Sequence, residues 1–308
     1  MVDIVERFAP SPNGLLHLGH AFSALTAWDA ARVKGGRFLL RIEDIDQARC
    51  RPELEAAMLE DLAWLGIEWE EPVLRQSQRF AAYAEALTSL ESRGLLYPCF
   101  CSRKDIQAVL TAPQETGSDR SGAADPAAGP DGPAYPGTCR DLPDEIRARR
   151  KARGDAFALR LDMRRAIAAL GGAGVARKLS FKELGQGPNG ERGKIALDPD
   201  FLIRACGDVA LARKEIPTSY HLAVVLDDAH QGVTHVTRGE DLFAATAIHR
   251  LLQALFGRPT PHYRHHRLIR DAEGRRLAKR DRDAGLAELR AGGASPADIR
   301  KMVGLPPG

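Results

Sequence analysis

The chain has 308 residues, 44% of them hydrophobic, and its 44 Lys and Arg against 41 Asp and Glu leave a net charge of +3. This is enough apolar material for a sizeable core in one large or two ordinary domains, and too little net charge to announce a nucleic-acid binder by itself. No stretch approaches the roughly 18 uncharged apolar residues that a membrane helix needs, and the opening MVDIVERFAP lacks the basic-then-apolar order of a signal peptide, so no membrane partner and a cytoplasmic address are expected.

The opening reads strand, loop, helix. Ile4 to Ala9 is β-prone, Pro10-Ser11-Pro12-Asn13-Gly14 is turn chemistry, and Gly19 to Val33 carries helical periodicity through Phe22, Leu25, Trp28 and Ala31 until Lys34-Gly35-Gly36 stops it. A second strand, Arg37 to Ile42, brings Glu43 to its C-terminal end. Strand, crossover helix and strand in so short a span form a βαβ unit, which implies a parallel sheet with ligands at the carboxyl ends of its strands. Arg7 to Gly14 and Glu43 then share one edge.

Pro52 opens a helix to Leu65, with Leu54, Met58, Leu62 and Leu65 on one stripe, and another helix runs from about Gln78 to Arg93. Thr111 to Ala134, rich in Ala, Gly, Pro, Asp and Ser, reads as a flexible insertion. Five bases between Arg147 and Arg153 read as a solvated helix face, although such a run also suits phosphates. Phe157 to Met163 alternates like a strand. His221 to Leu226 reads as a buried apolar strand ending at Asp227-Asp228, and Val233 to Arg238 as another. A helix from Leu242 to Phe256 ends at Gly257, and Arg282 to Gly308 is expected to form one or two short helices.

Two features carry chemistry. In the loop ending His17-Leu18-Gly19-His20, two histidines flank a glycine at a helix N-terminus, where free N–H groups and the helix dipole favour a phosphate, and Gly19 lets the backbone approach a nucleotide base. As a bare pattern it also suits a helix-capping loop. Five cysteines without a secretory signal argue against a disulfide framework. Cys99, Cys101 and Cys139 gather around one segment, whereas Cys50 and Cys206 read as small buried hydrophobes.

The segments RFAPSPNGLLHLGH and RFLLRIEDIDQAR resemble the first catalytic block of glutamyl-tRNA synthetases, and Arg275-Arg276-Leu277-Ala278-Lys279-Arg280 resembles the second, the Lys-Met-Ser-Lys-Ser loop. The stretches from Ser219 to Asp228 and from Gly232 to Asp241 match the same family between the two blocks. The resemblance implies an α/β fold: a Rossmann-like class I synthetase catalytic core with a parallel sheet, an inserted zinc-binding, acceptor-type subdomain and a short helical C-terminus. The implied division is 1–96 and 201–282 for the catalytic halves, 97–200 for the insertion with its loop at 111–134, and 283–308 for the tail.

By the same resemblance, Arg7, Ala9, Ser11, Glu43, Tyr220 and Arg238 hold L-glutamate, Glu43 taking the α-amino group. His17, Gly19, His20 and Lys279 bind ATP, with His17, His20 and Lys279 acting in catalysis and Mg²⁺ accompanying the nucleotide. Arginine forks grip carboxylates, so this residue set suits a dicarboxylic amino acid. Arg276 stands where the family has its first lysine and Ala278 where it has serine, and slower chemistry at worst is expected. Cys99, Cys101, Tyr135 and Cys139 resemble the family's structural zinc site, one ion per chain, across a gap lengthened by the 111–134 loop. Too few residues follow Arg280 for the family's anticodon-binding half, so the expected acceptor is the anticodon arm of tRNA(Asp), as in relatives that transfer glutamate to queuosine, and the expected state is a monomer. Two other readings stay open: a minimal synthetase charging a tRNA 3′ end, and an inactive RNA-binding paralogue, which would have lost the substrate residues.

Overall fold

The structure is a computed structural model describing residues 3–111, 129–270 and 285–307. In chain order it runs β1 (Val5–Phe8), α1 (Leu18–Arg32), β2 (Arg37–Ile42), α2 (Pro52–Trp64), β3 (Glu70–Arg75), α3 (Phe80–Ser92), β4 (Leu96–Cys99), α4 (Arg103–Thr111) and α5 (Asp144–Ala152). It continues through β5 (Ala158–Leu161), α6 (Met163–Ala169), α7 (Ala173–Ala176), β6 (Ser180–Glu183), β7 (Gly193–Ala196), the turn α8 (Pro199–Phe201), β8 (Ala210–Ala212) and α9 (Tyr220–His230). Last come β9 (His235–Gly239), α10 (Ala245–Leu255), β10 (His262–His266), α11 (Leu286–Ala291) and α12 (Pro296–Met302).

The opening βαβ unit forms as expected. β1 pairs in parallel with β2, and β2 with β3. Gly35, at φ 61°, makes the left-handed turn that ends α1 and returns the chain to the sheet. β9 pairs in parallel with β10, and β10 with β6, while β7 runs antiparallel on the edge. Thr234, just before β9, joins the two sets: its N–H donates to Val5 O at 3.0 Å and its hydroxyl accepts from Val5 N at 2.8 Å. β1 and β9 therefore lie side by side with their carboxyl ends together, and a crevice at such a junction is where open α/β sheets place ligands.

Cys99 ends β4 in the third sheet, β4-β5-β8, which is antiparallel. A boundary at residue 200 does not separate the sheets, because β6 and β7 lie before it yet join β10, and β8 lies after it yet joins β5. Sheet membership follows pairing between distant segments, which no local pattern records.

One expectation is corrected. His221 to Leu226 is not a strand but part of α9, an eleven-residue helix with eight buried residues. A run buried on all sides has no amphipathic stripe, so periodicity cannot tell helix from strand. Ser219 decides the matter locally, since its hydroxyl accepts from Leu222 N at 3.4 Å as an N-cap. Phe157 to Met163 is a strand only over β5, because the Asp162 side chain caps α6 by accepting from Arg165 N at 3.0 Å.

The basic run from 147 to 153 lies mostly on α5, which buries nothing, and pairs with Asp144 and Asp155, as a solvated face does. The tail forms the two short helices expected. Leu286 and Ile299 are fully buried against α1 and α2, and Arg300 clasps Asp29 of α1 through two bonds of 2.7 and 3.0 Å. The expected flexible insertion lies outside the described residues over 112–128.

Candidate active site

A cavity of about 450 Å³ opens at the carboxyl ends of β1 and β9, beside the N-terminus of α1. Its size suits a small-molecule site. Arg7, Ala9, Ser11, His17, Gly19, His20, Glu43, Tyr220 and Arg238 all line it, although they come from four separate stretches of sequence. Lys279 and the rest of the second catalytic block lie outside the described residues.

The α1 end of the cavity is built by its cap. His17 Nδ1 accepts from Gly19 N at 3.1 Å, His20 Nδ1 accepts from His17 N at 3.2 Å, and the two rings sit 3.8 Å apart. Both histidines thus occupy a fixed place beside the positive end of the helix dipole. A Cβ at Gly19 would stand 2.9 Å from His17 Cε1, so glycine here makes room first of all for the imidazole.

The strand wall is a buried charge cluster. Arg7 Nε donates to Asp228 Oδ1 at 3.2 Å, and Arg41, wholly buried, donates to the same oxygen at 2.8 Å and reaches Glu43 at 3.5 Å. Burial works against ionisation of Asp228, but Arg7 and Arg41 outweigh it and lower its pKa. Burial prevails at Glu43, whose pKa is raised despite Arg41 and Arg7. A cationic ligand group beside Glu43 would bring that carboxyl back toward its charged form.

Arg238 enters from β9 and is also buried. It donates to Tyr220 Oη at 3.2 Å, to Thr246 Oγ1 at 2.7 Å, and to ring nitrogens of His249 and His265, each at 3.2 Å. Burial, then the neighbouring Arg238 cation, pushes the His249 pKa well down and keeps that ring neutral. The sequence reading missed Arg41, Asp228, His249 and His265. The signals were faint: a charged residue inside the apolar strand RFLLRI, and two aspartates closing an apolar run.

The cysteines form a second cluster beyond β4. The Sγ atoms of Cys99, Cys101 and Cys139 lie within 4.8 Å of one another, and Cys101 Sγ is 3.5 Å from both Cys139 Sγ and Tyr135 Oη. Tyr135 Oη also accepts from Cys139 N at 2.9 Å. Burial is the largest influence on the Cys101 thiol, pushed up to about 11. Tetrahedral zinc with bonds of about 2.3 Å spaces its sulfurs about 3.8 Å apart. The three sulfurs could therefore hold a metal ion with little movement, and the chain converges on this geometry across the whole of the intervening loop.

The family model described as "tRNA synthetases class I (E and Q), catalytic domain" matches residues 3–305. A glutamyl-Q tRNA(Asp) synthetase from Rhodobacter capsulatus is 54% identical over 98% of this chain and 100% of its own length. Another of that name from Symbiobacterium thermophilum is 41% identical over 95% of this chain and 83% of its own. Among solved structures, a glutamate tRNA ligase from Elizabethkingia meningosepticum, in complex with its amino acid, superposes with a TM-score of 0.72 at 25% identity, covering 98% of this chain and 60% of that one. The glutamate-tRNA synthetase of Elizabethkingia anophelis gives the same TM-score at 24% identity, and again this chain spans only 61% of the neighbour's length.

Proposed function

The chain belongs to the class I tRNA synthetases for glutamate and glutamine and, within them, to the glutamyl-Q tRNA(Asp) synthetases, and from that premise we propose that it activates L-glutamate with ATP and transfers it to queuosine in tRNA(Asp). It is a ligase by family. The observation that carries the substrate reading is the convergence of Arg7, Glu43, Tyr220 and Arg238 on one cavity at the N-terminus of α1. Glutamate brings two carboxylates and one ammonium. Two arginines and a carboxylate on the wall are the complement, and buried charges that meet ionic partners favour this ligand over neutral-ended glutamine.

In the first step an oxygen of the glutamate α-carboxylate attacks the α-phosphorus of ATP, and the bond to the bridging oxygen breaks to release pyrophosphate. No protein nucleophile is needed, so the protein acts by alignment and by neutralising phosphate charge. His17, His20 and the helix end supply donors on one side, and Lys279 is assigned to the phosphates from the sequence. Mg²⁺ would neutralise phosphate oxygens alongside them. In the second step a hydroxyl of the queuosine cis-diol attacks the activated carbonyl, forming the ester and freeing AMP. Cys99, Cys101, Cys139 and Tyr135 would hold a structural zinc, since four protein ligands leave no open position. The region bearing them lies in sequence between the halves of the catalytic core.

The test offers labelled glutamate and ATP to the protein with an isolated queuosine-containing anticodon stem-loop of tRNA(Asp) and, separately, with full-length tRNA(Glu). Labelling of the stem-loop, absent without queuosine, is the expected result. R7A serves as the pocket control and should lose on the order of 100-fold or more, the cost of leaving a charged group unpaired in a buried site. Glutamylation of tRNA(Glu) with none of the stem-loop would replace this reading with that of a compact ordinary synthetase.

A further inference from the structure

Arg238 is held by more than its immediate neighbours. A guanidinium only donates hydrogen bonds, so each ring nitrogen that faces it must be an unprotonated acceptor. That requirement fixes the tautomers outward from Arg238. His249 Nδ1 accepts from the guanidinium at 3.2 Å, so its proton sits on Nε2, which stands 3.1 Å from His221 Nδ1. His221 in turn carries its proton on Nε2, which lies 3.3 and 3.2 Å from the two carboxylate oxygens of Asp131. The chain runs from a pure donor to a pure acceptor, and every link points the same way. On the other side of the guanidinium, His265 accepts at Nε2 and meets Glu183 with Nδ1 at 2.5 Å, a shorter version of the same device.

We propose that His249, His221 and Asp131 form a directional hydrogen-bond relay that positions Arg238 for the amino acid, so that affinity for glutamate is set in part by a carboxylate on the segment leading to the cysteine cluster. This rests on the assignment of Arg238 as a glutamate contact. His249 and His221 are buried, whereas the Asp131 side chain is 53% exposed and belongs to a turn well away from α9 and α10 in sequence. The turn is seated by close packing. A Cβ on Gly129 would fall 2.2 Å from the carbonyl oxygen of Ala205, and Gly132 adopts φ 96°, open to glycine but strained for other residues. Four residues after Asp131, Tyr135 joins the cysteines. The relay therefore carries the placement of that segment into the pocket. A neutral histidine pair could otherwise adopt either hydrogen-bond direction, and the terminal carboxylate selects the one in which Arg238 finds an acceptor.

Glutamate-dependent ATP–pyrophosphate exchange by the full chain tests the relay. D131A should raise the KM for glutamate about 5-fold, the worth of one hydrogen bond in a network, and leave the KM for ATP and the melting temperature at their wild-type values. D131N still offers an amide oxygen to His221 and should recover most of the loss. In an H221L background D131A should add nothing further, because the path is already cut. An unchanged KM for glutamate in D131A overturns the relay, as does an equal rise in both KM values that D131N does not repair. R238A separates the two levels: if it alone is severe, the relay fails and the pocket stands, whereas if it has no effect on the KM for glutamate, the pocket assignment fails and takes the relay with it.

Discussion

At the residue scale, Arg7 and Arg238 are held at the cavity by buried partners that do not line it, Asp228 and His249 among them. Arg7 and Arg238 were legible because they stand in recognisable blocks. Asp228, Arg41 and His249 were not, since a buried partner is defined by proximity across the fold and carries no spacing of its own. Asp228 pairs with residues 221 and 187 positions away, yet removing it would leave two buried guanidinium groups without their shared anion. His235, at the start of β9, shows a different effect of placement. Burial and the nearby His262, Lys34, Arg264 and Lys182 push its pKa from 6.5 down to about 4. The unfolded chain therefore takes up a proton below about pH 6.5 that the folded chain refuses, and this residue removes stability as the pH falls between those values. H235Q lacks that penalty. Its melting temperature relative to wild type should rise steadily from pH 7 toward pH 4.5, and a constant difference across the series would show that His235 titrates normally in the fold.

Among the elements, α9 shows where pattern reading runs out. Its apolar stretch reads as a strand because a helix buried on nearly every face has lost the alternation of wet and dry positions that identifies it. Tertiary contacts confirm the helix. Asp227, on its third turn, accepts from Gln76 at 2.8 Å, from Arg79 at 2.7 Å and from the Tyr83 hydroxyl at 2.7 Å, docking α9 onto α3 and the turn before it. Tyr220, the first residue of α9, reaches the cavity only because the helix begins there. S219A, which removes the N-cap, should cost about 1 kcal/mol by urea denaturation. Some loss of Tyr220 alignment should accompany it, seen as a higher KM for glutamate. A substitution with no effect on either would mean that packing alone sets the start of α9. By contrast α1 and β2 appear almost where the sequence puts them, because Gly35, the helical spacing of Phe22, Leu25 and Ala31, and the short apolar run of β2 are local signals.

For the whole molecule, the apolar interior divides into separate clusters, one built on α1, α2 and the opening strands, another on α3, α6, α9 and α10, and a smaller one of Val5, Leu39, Val236 and Tyr263 that spans the β1 and β9 junction. The cavity is lined by Phe8 of the first and by Tyr220, which packs against the second, so a ligand bound there would touch both. The cysteine cluster lies apart, with its own small core of Tyr97, Phe100 and Phe157 around it. So small a core is expected to need a cross-link, and metal binding is its most direct source. Protein purified without chelator should contain one zinc per chain by elemental analysis, and C139S should lose the metal and unfold at lower temperature, while metal-free wild-type protein of unchanged melting temperature would remove zinc from the account. The sequence by itself determined the α/β class, the parallel opening unit, the histidines at the N-terminus of α1 and the family to which the catalytic blocks belong, because each of these is written in residues close together along the chain. Only the tertiary structure decided that β6 and β7 join the sheet of β9 and β10, that α9 is a helix, and that Arg238 is anchored through two histidines to Asp131, because pairing and burial are contacts between segments far apart and leave no period or spacing behind them.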